Sequence, residues 1–69
     1  MQTRKARVYD AVKDAVGRLP EDSNQLEKVA GDGDFWVGHR AGRFSLWQGD
    51  RHVIEAWDVD GLCEAMASQ

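Results

Sequence analysis

The sequence predicts an α+β domain in which an N-terminal helix, a three-stranded antiparallel β-meander and a short C-terminal helix follow one another (α-β-β-β-α). Three observations predict it. Val8, Val12, Val16 and Leu19 recur at helical spacing within residues 3–18 and the residue beyond. Phe35–Arg40, Arg43–Gln48 and His52–Trp57 are short runs rich in aromatic and β-branched residues, separated by Ala41-Gly42 and by Gly49-Asp50-Arg51. Val59, Leu62, Cys63 and Met66 then return to i, i+3, i+4, i+7 spacing. The 69 residues are read as a single domain, 1–69, apolar enough at 42% hydrophobic and 30% charged residues to fold rather than stay disordered.

Each element has its own signals. Thr3 suits the cap of the first helix, Asp14 sits four residues before Arg18 in the favourable order for an ion pair, and Gly17 followed by Pro20 marks the stop. Arg4, Lys5 and Arg7 run against the macrodipole, which disfavours cations at a helix N-terminus. They read either as a basic functional tip or as a frayed start, and fraying is the simpler account. Pro20-Glu21-Asp22-Ser23-Asn24 is a polar loop. Leu26, Val29 and Ala30 fit one short helical turn or a brief strand, and Gly31-Asp32-Gly33-Asp34 a turn. With Ala41-Gly42 as a two-residue turn, Arg40 pairs with Arg43, Val37 with Leu46 and Trp36 with Trp47; a three-residue loop would shift the register by one. The last helix starts at Asp58 or Asp60, both suited to an N-terminus, and is too short to stand without packing on the sheet.

Charge bounds the function. The formal total is −3. Arg4, Lys5, Arg7, Lys13 and Arg18 outnumber Asp10 and Asp14 in the first segment, so residues 19–69 are strongly acidic. An acidic body repels nucleic acid and attracts basic protein surfaces. The sequence has no apolar stretch near the ~20 residues of a membrane span, no secretory signal pattern, and one cysteine, so a cytoplasmic, non-membrane protein is expected.

Neither catalytic nor metal chemistry is expected. Asp32-Gly33-Asp34 and Asp58-Val59-Asp60-Gly61 resemble calcium loops only in composition: counted from Asp58, glycine falls at position 4 and Gln69 at 12. His39 and His52 lack partners at metal-ligand spacing, and Cys63 on an apolar helix face reads as a buried, inert thiol. No catalytic residue, metal or cofactor is assigned; the protein is read as a non-enzyme.

The three tryptophans are the informative residues. With both helices on the face of Phe35, Val37, Phe44 and Leu46, the other face carries Trp36 and Trp47, with Trp57 alongside, interleaved with Arg40, Arg43 and Glu55. That is the composition of a binding surface. The competing readings are a helix covering this face, and Trp57 closing the edge of the core.

Three resemblances bear on function. The element order is shared with double-stranded-RNA-binding domains, but these meet phosphates with basic residues, and the second helix here offers Asp58, Asp60 and Glu64 instead. In overall character, a small acidic α/β chain without a catalytic constellation, the sequence resembles phage anti-CRISPR proteins acting on type I systems. That resemblance implies a monomeric inhibitor in the host cytoplasm. It would bind a basic Cas subunit of the surveillance complex and block target-DNA recognition with carboxylates standing in for phosphates. Asp32, Asp34, Glu55, Asp58, Asp60 and Glu64 are the candidates, with Glu21 and Asp22 as a second cluster and Trp36 and Trp47 as further contacts. Locally, Gly42-Arg43-Phe44-Ser45-Leu46-Trp47, with Trp57 ten residues on, is similar to the Gly-Gln-Tyr-Ser-Leu-Trp…Trp core of MbtH-like proteins. These are non-enzymatic partners of adenylation domains, and the resemblance implies partner contact through Ser45, Leu46, Trp47 and Trp57. Gln48 stands where that family has proline, and Glu55-Ala56 replaces its Pro-x-Gly. The leading expectation is the inhibitor; the MbtH-like partner is the alternative.

Overall fold

A computed structural model describes residues 3–20, 24–31 and 33–69. The elements are α1 (Arg4–Arg18), β1 (Leu26–Lys28), β2 (Phe35–Arg40), β3 (Arg43–Gln48), β4 (Arg51–Ala56) and α2 (Val59–Ala67). The four strands form one antiparallel meander in the order β1-β2-β3-β4, and the α+β class holds. No described helix is long and apolar enough to cross a membrane.

The helices form as their spacing demands. Val8, Val12 and Ala15 of α1 are buried, and the Thr3 hydroxyl accepts the Ala6 amide at 3.1 Å. Leu19 leaves the helix with ψ 136°, the extended conformation that a following Pro20 imposes on the residue before it. Proline is thus the stop, while Gly17 is an ordinary, exposed helical residue, contrary to the expectation that it ends the helix. The basic start of α1 is not frayed either. The Arg4 guanidinium donates to the carbonyls of Ala67 (2.6 Å) and Gln69 (3.2 Å), so cations at one helix N-terminus meet the electronegative C-terminal end of the other.

The sheet has four strands where the sequence predicted three. The added one is β1, the segment that local spacing left open between a helical turn and a strand. Three residues are too few to show a period; the decisive partners are remote. β1 pairs Leu26 with Gly38, Glu27 with Val37 and Lys28 with Trp36. Arg18 ties it to the end of α1 through the Glu27 carboxylate (3.2 Å) and the Lys28 carbonyl (3.2 Å). The β2–β3 hairpin has the two-residue turn and the register expected, with Arg40 opposite Arg43, Val37 opposite Leu46 and Trp36 opposite Trp47. Its turn holds Ala41 (φ 53°) and Gly42 (φ 75°) both left-handed, the signature of a type I′ turn. A bulge between Leu46 and Trp47 makes Val53 the extra residue of β4, which begins at Arg51 rather than His52.

Both helices pack on one face. Val12, Ala15, Leu62, Cys63 and Met66 close over Phe35, Val37 and Leu46, with Val29 beside them. No polar or charged described residue is buried in this core. Gly61 lets the first turn of α2 lie against β4, since a Cβ there would sit 2.8 Å from that of Ala56.

Gly17 has open space where a side chain would go. Gly17→Ala is therefore expected to stabilise the fold by about 0.5–1 kcal/mol, because alanine loses less backbone freedom in a helix. Urea unfolding measures it; an unchanged midpoint would mean that this last turn of α1 is not helical in solution.

Candidate partner-binding face

With both helices on one side, the other side of the sheet is open. Strand alternation sends Leu26, Lys28, Trp36, Gly38, Arg40, Arg43, Ser45, Trp47, His52 and Glu55 there. The bulge brings both His52 and Glu55 onto this face, which unbroken alternation would not. Gly38 is the close approach at its centre: a Cβ would lie 2.8 Å from Leu26 Cδ2 and 2.9 Å from Ser45 Oγ.

The tryptophans are held in place by short-range contacts. The Trp36 indole N–H donates to Asp34 Oδ1 at 2.9 Å, and Lys28 lies 5.7 Å over its ring and 3.5 Å from the same carboxylate. The Trp47 indole N–H donates to Ser45 Oγ at 3.3 Å, and its ring rests against His52 with centroids 4.9 Å apart. Both indoles are half-buried. Trp57, one residue past the Phe44–Ala56 pair, is 76% exposed and lies under the Arg43 guanidinium at 5.6 Å. It does not close the edge of the core; it extends the aromatic face. Leu46, a contact residue in the MbtH-like resemblance, is fully buried under the helices and cannot touch a partner.

Among the described residues, the predicted carboxylates do not gather into one patch. Asp34 and Glu55 lie at the open face, each held by a cation: Lys28 for Asp34, and Arg43 at 3.5 Å for Glu55. Asp58, Asp60 and Glu64 belong to the helical layer. Asp58 is the N-cap of α2, accepting the Gly61 amide at 2.8 Å, and Asp60 sits in its first turn. Glu64 accepts the Tyr9 hydroxyl at 2.6 Å and faces Lys5 at 3.4 Å, joining the two helices. Asp32, Glu21 and Asp22 lie outside the described residues. Their spacing along the chain carried no sign of this division, which the fold alone decides.

Cys63 is buried and burial pushes its thiol pKa up, away from the reactive thiolate. No group of three or more His, Cys, Asp or Glu among the described residues is placed to hold a metal ion. Comparison with protein-family models, with curated proteins and with solved structures gives no match.

The Tyr9–Glu64 bond has a pH signature. Glu64 is held below the usual carboxylate range, first by the Tyr9 hydroxyl and then by Lys5, so its contribution is complete above that range and fades as pH falls through the lowered value. The Tyr9 hydroxyl, bonded to Glu64, is pushed up from 10.0 to about 12, so its contribution is complete below 10.0 and fades as pH rises toward 12. Tyr9 is the sole tyrosine, so phenolate absorbance reads it directly. Glu64→Gln is expected to bring its midpoint back toward the ordinary value; an unmoved midpoint would mean that the two groups do not meet in solution.

Leu46→Ala is expected to cost about 2–5 kcal/mol, a large share of a small domain's stability. Thermal unfolding checks it: a contact residue would leave the midpoint unchanged.

Proposed function

We propose that the protein is a non-enzymatic binding module that grips a protein partner through the open face of its sheet, with Trp36, Trp47 and Trp57 as anchors. One observation carries this reading. A small chain with few apolar side chains leaves three tryptophans on the side away from both helices, two of them held by hydrogen bonds from their indole nitrogens. An ordered aromatic side chain loses little conformational freedom on docking, and aromatic and arginine side chains dominate binding energy at interfaces.

The aromatic face is better supported than the acidic surface. A phosphate mimic needs carboxylates free to meet the partner's cations, and Asp34, Glu55 and Glu64 already face cations of this chain, while Asp58 caps a helix. An inhibitor of a nucleic-acid-binding complex remains within this reading as one kind of protein partner, as does an adenylation domain; the geometry favours the surface used over the identity of either.

Photo-cross-linking in the source cell tests the reading. A benzophenone amino acid placed in turn at positions 36, 47 and 57 is expected to capture one and the same protein, and positions 10 and 60 on the helical layer are not. Trp47→Ala, with the probe at position 57, is expected to lower the yield of that adduct several-fold without altering the circular dichroism. Adducts formed from the helical layer alone, or lost on reversing Asp58, Asp60 and Glu64 but not on Trp47→Ala, would overturn the aromatic reading in favour of the acidic one.

A further inference from the structure

The tip of the β2–β3 hairpin says what the partner must offer. Arg40 and Arg43 stand directly opposite each other there, a like-charged cross-strand pair that the sheet geometry makes unfavourable. Arg43 is shared between Glu55 at 3.5 Å and the Trp57 ring at 5.6 Å. Arg40 is exposed and has no ion-pair or hydrogen-bond partner among the described residues. Both line one hollow with Ser45, Trp47, His52 and Glu55. Among the described residues of this face, Lys28, Arg40 and Arg43 stand against Asp34 and Glu55, a balance of +1 within a chain of net charge −3.

We infer that the open face receives an acidic segment of a protein partner, a carboxylate docking beside Arg40 while a neighbouring apolar side chain lies on Trp47. This rests on the protein-binding reading above and adds the sign of the partner's charge, which is opposite to the one the acid-rich sequence suggested. The physical reason is local. A carboxylate entering the hollow that both arginines line meets two cations and can accept hydrogen bonds from the Arg40 guanidinium, whereas a basic partner would add a third like charge. The aromatic floor supplies contact area without discriminating charge; the arginines discriminate.

Tryptophan fluorescence titration tests this with three probes: an end-blocked peptide of alternating glutamate and leucine, the same peptide with lysine for glutamate, and a short oligothymidylate. The glutamate peptide is expected to bind, more weakly as salt is added, and at least about tenfold more tightly than the lysine peptide, the scale of one charge-assisted hydrogen bond. Arg40→Glu is expected to reverse that order; Arg40→Lys, which keeps the charge, is expected to preserve it. Circular dichroism confirms that both variants fold. Equal affinity for the two peptides, preference for lysine, no binding of either, or indifference to Arg40→Glu would overturn the inference. Trp47→Ala and the cross-linking pattern would then still report on the aromatic face separately. Oligothymidylate bound more tightly than both peptides would overturn the inference and the protein-binding reading together.

Discussion

Val37 and Leu46 face each other across the middle of the sheet, both fully buried, and the remaining core is arranged to cover that pair. Ten described residues make up the buried cluster, drawn from both helices, the inward positions of β2 and β3, and Val29. That supply of apolar side chains covers one side of a sheet once. The second side must therefore be faced with something else, and here it is faced with indoles, guanidinium groups, a histidine and a serine. The location of the open face follows from how little the chain can bury.

Much of this was legible in the sequence because the responsible signals are local. The helical spacing of Val8 and Val12, the capping residues Thr3 and Asp58, and the alternation of Phe35, Val37, Phe44 and Leu46 each act within a few positions. The two-residue turn at Ala41-Gly42 fixed the register and with it the side on which Trp36 and Trp47 emerge. What escaped was non-local. β1 is a strand because β2 offers it an edge and Arg18 holds it there, and nothing within Leu26–Lys28 announces either partner. Arg4, Lys5 and Arg7 looked misplaced on their own helix because the carbonyls that receive Arg4 lie at the far end of the chain.

The carboxylates teach the same lesson about sites. Their number in the sequence suggests a cationic partner, yet a charge acts through its nearest neighbours. Glu64 serves to join two helices, Asp58 to start one, and Asp34 to steady Trp36. After these local roles are taken into account, the charged side chain on the open face without an ion pair among the described residues is Arg40. Net charge steers an approach over distances of about a Debye length, roughly 8 Å at physiological salt, but contact is decided by the residues that remain free.

The bulge in β4 has a consequence away from the open face. This strand is the outer border of the sheet, and a flat border of six residues would invite another chain to add on to it. The extra residue interrupts its regular hydrogen-bonding rhythm, while Arg51 and Glu55 place opposite charges along its length. Bulge and charge together make this rim a poor template for the strand of another molecule, so the fold discourages fibrous stacking at the place where its sheet ends.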